Sequence, residues 1–509
     1  MIKCDFTIYD MIARNSVVYK NKKAIVDGDI CFTYHEYKKL CDQCAYGLVN
    51  EGIESGDRIA IISMNSEEYM ILYGAVAKIG AVIIPINYRL AEGEIIYILQ
   101  DTKPKIIITS MEYKEIAYKM LSMIPSIQKV FVSKITESEH NIIPFRNIFS
   151  SDSCNDRIIC KDDNSEYIII YTAAVNGKPR GCVLSQRNII SAGMQMAQLF
   201  NLKNEDCYVG TLPLFHIGGL AMTMAIMYQG GKNVIMQYFD PFTVLNLVEK
   251  ERGTFFGTFP PMLSAILDAQ EKQNYDLSSL RGVGGIDNTE TIIRFLKNNP
   301  QATFFVLYGQ TEAMPISGCD VKEKQGSIGR PSIMTRISIV DDLEKDVPVG
   351  EEGEICVRSP SVFIKYLNLE KETEYTFRGG WHHTGDRGRL DEEGYLYYCG
   401  RNPEKELIKS GGENVYPAEV ERAILGHEEV KEVSVIGIPD PQWGEAVLAV
   451  CVLKEGASLT EDKLIEFVAN KIARYKKPKH VIFVDNLPKK DNGQIDREEV
   501  KKLFLKINN

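Results

Sequence analysis

Between Arg58 and Phe305 the chain repeats one pattern: a short apolar run rich in β-branched residues, then a stretch with helical spacing. The runs fall at 58–62, 81–84, 105–109, 167–171, 233–236, 254–258 and 303–306. Gly, Pro, Asn or Asp bound them, as expected of buried strands. Helical patterns lie between them, at 65–78 and 241–250 for example. Strands of this kind alternating with helices predict parallel sheets covered by helices.

The texture changes after Arg330. Runs at 337–340 and 354–357 are shorter and separated by Gly- and Pro-containing turns, which predicts a β-rich subdomain. A further unit begins near Lys405, with a helix at 417–425, strands at 433–438 and 447–453, a helix at 461–472 and a strand at 481–484. The fold class expected is α/β: a large N-terminal domain of parallel sheets plus the β-rich subdomain, and a small mobile α+β C-terminal domain. The expected division is 1–402 and 403–509, because 509 residues exceed what one core supports.

A net charge of −10 argues against a nucleic-acid binder, which needs a basic face. The 12 cysteines include one C-x-x-C pair, Cys41-Asp42-Gln43-Cys44, but no second pair or His that would complete a zinc spacing, so free thiols in a reducing cytoplasm are expected. The stretch 72–86 is the most apolar early segment, but it is too short to span a membrane and contains Lys78. It reads as a helix followed by a buried strand.

After the run at 167–171 comes Thr172-Ala173-Ala174-Val175-Asn176-Gly177-Lys178-Pro179-Arg180-Gly181. A Gly-containing loop after a strand, ending in a basic residue, can wrap an anion; alone it reads equally as a surface turn. It is followed in order by Tyr308-Gly309-Gln310-Thr311-Glu312, Trp381-His382-His383-Thr384-Gly385-Asp386, Gly400-Arg401 and Lys409-Ser410-Gly411-Gly412-Glu413-Asn414-Val415-Tyr416-Pro417. Together these segments resemble the adenylate-forming superfamily of acyl-CoA synthetases, luciferases and peptide-synthetase adenylation domains. The likeness runs from Asp57 to Arg497 and includes 85–90, Leu212-Pro213-Leu214-Phe215-His216 and Trp443-Gly444-Glu445. Within the superfamily the chain is most similar to medium-chain fatty acid and hydroxycinnamate ligases.

The resemblance implies a role for each motif residue. Tyr308 and the adjoining Gly309 would lie against adenine, with Gly284 and Gly285 letting the backbone approach the same base. Asp386 would accept from both ribose hydroxyls, and Arg401 would reach ribose or phosphate. Thr172 and Arg180 would serve the phosphates, Thr311 the α-phosphate, and Glu312 would help hold Mg²⁺. His216 would border the acyl pocket, with a purely structural histidine as the equal alternative. Lys405 is the hinge candidate. Gly411, Gly412 and Glu413 would line a pantetheine tunnel, and the basic stretch 474–479 could meet CoA phosphates. Met222, Met224 and Met314 suit an acyl chain, or equally ordinary core packing.

Two departures from the family concern phosphate handling. The usual loop reads Thr-Ser-Gly-Thr-Thr-Gly, then Pro-Lys-Gly; here the four positions 173–176 lose hydroxyl or glycine character, and Arg180 replaces the lysine. Near the end, Gln494 stands where the family carries its adenylating lysine. Losing a positioned charge costs about 3 kcal/mol, roughly 100-fold in rate. Compensation by Arg180, Lys489 or Lys490 is the favoured reading.

The function implied is an ATP-dependent acyl-CoA ligase using ATP, Mg²⁺ and CoA. A monocarboxylic fatty or aromatic acid is expected, since no basic residue is clearly placed for a second carboxylate. The alternatives are an adenylation enzyme loading a separate carrier protein, and a non-catalytic or half-reaction homologue. The expected partners are the small acid and CoA, without nucleic acid or an integral membrane segment; a homodimer is an allowed assembly.

Overall fold

A computed structural model describes residues 6–138, 141–149, 160, 162–172, 179–401, 407–411, 413–440, 442–490 and 495–505. The centre of the candidate phosphate loop (173–178), the hinge candidate Lys405, Gly412 and Gln494 lie outside the described residues.

Two large mixed sheets carry the N-terminal domain. The eight-stranded sheet has parallel neighbours from Glu166–Thr172 through Val82–Ile86, Arg58–Ile62, Ile106–Thr109 and Lys129–Val132 to Ile142–Pro144. In Arg58–Ile62 every residue after the first is buried, as a strand covered on both faces requires. At the other edge the direction reverses: Arg180–Ser185 pairs antiparallel with Glu166–Thr172, and Lys365–Tyr366 with Arg180–Ser185.

The nine-stranded sheet is parallel from Thr303–Gln310 through Gly282–Gly285, Phe255–Thr258, Cys207–Gly210 and Lys232–Ile235 to Lys23–Asp27. Antiparallel strands flank it at both ends. The strand that begins at Thr303 extends four residues past its apolar run, to Gln310, and carries Tyr308 with it.

One hydrophobic core joins the sheets through buried helices. Ile217–Gln229 is apolar on nearly every side and almost wholly buried, which suits a helix packed within a core. Glu67–Ile79 starts on the Ser66 cap and stops at Gly80, whose φ of 72° ends the helix without Cβ strain. Its Lys78 is 1% exposed and pairs with Asp42 at 2.8 Å. As the sequence predicts, 72–86 is a helix end followed by the strand Val82–Ile86. Among the described residues no helix is long and apolar enough to cross a membrane.

The β-rich subdomain is an antiparallel sheet of Arg336–Val340, Gly353–Arg358, His382–Leu390 and Leu396–Arg401. The small domain has its own sheet, in which Gly444–Leu453 pairs with Val430–Asp440 on one side and with His480–Phe483 and Ile408–Ser410 as well. Alternation along Val430–Asp440 sends Val433 and Val435 into one core and Ile436 and Ile438 into another on the opposite face.

Candidate active site

The site begins at the carboxyl ends of the parallel strands, where open α/β sheets present ligands. Gly284 and Gly285 end one of these strands. A Cβ on Gly284 would meet the Phe200 ring at 2.8 Å, and one on Gly285 the Thr258 carbonyl oxygen at 2.0 Å. Packing therefore forbids side chains here. Thr303–Gln310 runs on beside them and turns at Thr311 and Glu312 into Ala313–Asp320. A Cβ on Gly309 would come within 2.7 Å of the Met314 sulfur and 3.0 Å of the Ala313 carbonyl oxygen, so any side chain there requires Met314 to shift.

From the facing subdomain, Asp386 meets this hairpin. Tyr308 donates its hydroxyl proton to Asp386 Oδ2 at 2.7 Å, and Gln310 Nε2 donates to the same oxygen at 3.1 Å. Asp386 is 2% exposed, and Arg401 is its cross-strand partner. Arg401 Nε approaches Asp386 Oδ1 to 2.9 Å as an ion pair. The N–H is not aligned with the oxygen, so neither atom has a hydrogen-bond partner among the described residues. Burial works against the Arg401 charge, but Asp386 and the surrounding tyrosines hold the proton more firmly than usual. Burial, then the Asp386 charge, pushes the Tyr308 hydroxyl well above its ordinary value, so it remains a donor.

The turn that delivers Asp386 is pinned from below. Gly385 has φ 74° and donates its N–H to Glu354 Oε1 at 2.9 Å. Glu354 Oε2 contacts His383 Nδ1 at 2.9 Å and accepts from Arg378 at 3.0 Å. Cys356 lies 3.3 Å from the same imidazole nitrogen, and burial pushes its thiol up to about 12. Both Glu354 oxygens are engaged and the thiol stays protonated, so this Glu–His–Cys group is a hydrogen-bonded support for the turn.

A second set gathers around Glu312. Thr172 and Arg180, which flank the candidate phosphate loop in sequence, are cross-strand partners. Thr172 Oγ1 and Arg180 Nε are buried without a hydrogen-bond partner among the described residues. The Arg180 guanidinium lies 4.1 Å from the centre of the Tyr366 ring. Glu312 is 6% exposed and accepts a hydrogen bond from the Tyr366 hydroxyl at 2.9 Å. Burial opposes the Arg180 charge, while Tyr366 and Glu312 hold it protonated.

The small domain docks beside these groups. Its Glu413 meets Arg89 at 2.7 Å and His216 Nε2 at 3.5 Å. Burial opposes the Glu413 charge, but His216 and Arg89 hold its carboxyl below the ordinary value. Gly411 has φ 58°, and a Cβ there would meet the Trp443 ring at 2.6 Å. A second link joins Glu94 to Lys476 and to the Ala473 N–H, with Glu419 completing the charge cluster at 2.7 Å from Lys476.

Of the sequence candidates, Tyr308, Asp386 and Arg401 form one group, Thr172, Arg180 and Glu312 another, and His216 and Glu413 a third. Lys489, offered as a compensating charge, is paired with Glu432 at 3.0 Å in its own domain. The sequence reading missed Gln310, Arg89 and Tyr366. Gln310 and Arg89 lie inside quoted motifs, whereas Tyr366 carries no local signal.

Two family models match the chain: AMP-binding enzyme over residues 12–367 and AMP-binding enzyme C-terminal domain over 419–494. A feruloyl-CoA synthase of an Amycolatopsis species is 32% identical, covering 94% of this chain and 96% of its own. An indoleacetate–CoA ligase of Aromatoleum aromaticum is also 32% identical, over 98% of each chain. The solved o-succinylbenzoate CoA synthetase of Bacillus subtilis superposes with a TM-score of 0.85 at 27% identity, covering 96% of this chain and 97% of that one. Fold, site and relatives together define an acid–thiol ligase of the adenylate-forming superfamily. Within it, the chain belongs to the AMP-binding enzyme family.

Proposed function

We propose that the protein is an ATP-dependent acyl-CoA ligase that activates a monocarboxylic acid as its adenylate and transfers the acyl group to CoA. The observation that carries this reading is Asp386: buried, gripped on one oxygen by Tyr308 and Gln310, and with its other oxygen free of hydrogen bonds from the described residues, beside Arg401. A carboxylate held this way is an acceptor for ribose hydroxyls.

In the first step the acid's carboxylate attacks the α-phosphorus of ATP and the bond to pyrophosphate breaks. Tyr308, Gly309, Gly284 and Gly285 hold the adenine, and Asp386 and Arg401 hold the ribose. Thr172, Arg180 and Thr311 bind phosphate oxygens. The buried Glu312 carboxylate is a fitting oxygen donor for Mg²⁺, which neutralises phosphate charge when bound. The protein supplies no nucleophile; it positions charge where charge develops.

In the second step the CoA thiol attacks the acyl carbon and AMP leaves. The docking of Glu413 beside His216 supports a thiol path along Gly411, Gly412 and Glu413. The small domain, 403–509, would turn about Lys405 between the two steps. The cytoplasm suits the described cysteines, which are free thiols. An aromatic acid is favoured among the candidate substrates, since two of the relatives are named for aromatic acids.

The test is incubation with Mg-ATP, CoA and a panel of aliphatic and aromatic acids, with acyl-CoA and AMP read by mass spectrometry. AMP with one dominant thioester supports the ligase and names the acid class. No AMP with any acid, beside an active relative, refutes adenylation. Thioester formation from a supplied acyl-adenylate then separates a half-reaction enzyme from a binding protein.

A further inference from the structure

Tyr366 lies in no motif tied to the reaction, yet the phosphate end of the site converges on it. It is 4% exposed and occupies the two-residue strand Lys365–Tyr366, paired with Cys182 beside Arg180. Its N–H donates to Thr373 Oγ1 at 3.0 Å, which anchors it to the helix Glu370–Thr376. Its hydroxyl donates to Glu312 Oε1, and Phe363 N donates to the Glu312 carbonyl at 2.8 Å. The segment from Phe363 to Tyr366 therefore grips Glu312 at both main chain and side chain.

We propose that Tyr366 is a positioning residue for the triphosphate, holding the Glu312 carboxylate through its hydroxyl and seating the Arg180 guanidinium on its ring. This rests on the nucleotide-binding reading above. A guanidinium can lie flat on an aromatic face while its edge donors point outward at oxyanions; an ammonium has no flat face to seat. Arg180 Nε has no hydrogen-bond partner among the described residues, and the guanidinium carbon lies over the Tyr366 ring, 4.1 Å from its centre. The hydroxyl keeps Glu312 from turning onto Arg180 and neutralising the charge that phosphate needs. The arginine that departs from the family pattern thus has a partner shaped for it.

Calorimetric binding of Mg-ATP and of AMP tests this without turnover. Tyr366→Phe should weaken ATP by about tenfold, the scale of one charged hydrogen bond, and leave AMP within about twofold. Tyr366→Leu should weaken ATP further. In an Arg180→Lys background the hydroxyl's share remains, but the further step from Tyr366→Phe to Tyr366→Leu should add less than about twofold, because the partner seated on the ring is already gone. Unchanged ATP binding in Tyr366→Phe, equal losses for ATP and AMP, or full additivity of that further step with Arg180→Lys would each overturn the proposal. Wild-type protein that binds neither nucleotide would overturn the function itself, and the inference with it.

Discussion

Arg89 and Glu413 stand 324 positions apart in sequence and meet at 2.7 Å, with His216 3.5 Å from the second carboxylate oxygen. This contact ties the small domain to the large one beside the histidine that opens the helix Ile217–Gln229. The docked arrangement therefore depends on charge as well as shape.

Arg89→Met should slow thioester formation from a supplied acyl-adenylate by roughly tenfold, the scale of a partly exposed charge pair at an interface. Pyrophosphate exchange, which reports the first step, should change less than about twofold on the same scale. Equal slowing of both half-reactions would show that the pair supports the fold rather than the second pose.

The same carboxylate predicts a pH limb. Glu413 is held below the ordinary glutamate value of 4.5. Its contribution is complete above that value and is lost as pH falls through the lowered one. The thioester step in wild type should decline below pH 4.5. Glu413→Gln should be slow throughout and lack that limb; a limb that persists in the variant belongs to another group.

Asp386→Ala should cost roughly 100-fold in AMP affinity, since two hydrogen bonds to a charged acceptor are lost. It also strands Arg401 beside buried tyrosines, so the melting temperature should fall by several degrees. Calorimetry with AMP decides: unchanged affinity would remove Asp386 from the nucleotide site.

Arg180→Ala should slow pyrophosphate exchange by about 100-fold, the cost of one positioned charge. Gln494→Lys should change the wild type little and restore part of the loss in the Arg180→Ala protein. If Gln494→Lys alone accelerates exchange by a similar factor, Arg180 does not compensate for the missing lysine.

Much of the fold was legible because buried parallel strands advertise themselves. The run at 58–62 coincides with the strand Arg58–Ile62, and 303–306 with the start of Thr303–Gln310. Gly282–Gly285 was invisible as a strand, since three of its four residues are glycines held by backbone pairing and by close neighbours rather than by apolar side chains. The site divides the same way. Asp386 and Glu312 sit in dense local motifs. Tyr366 acts on Glu312 and Arg180 across the fold, and one sequence records no such contact. Arg89 stood inside a matched segment, but only the docked small domain reveals its partner.

The named contacts across the domains are polar: Arg89 and His216 with Glu413, and Glu94 with Lys476 and the Ala473 N–H. Charged groups released from the seam regain hydration that offsets the lost pairing, whereas apolar groups released from a dry seam do not. If the small domain docks and releases at every turnover, as the proposed two-step cycle requires, such adhesion would keep the populations of the two poses comparable, so neither would become a trap. Filling this seam with hydrocarbon would make a better-glued protein and a slower machine.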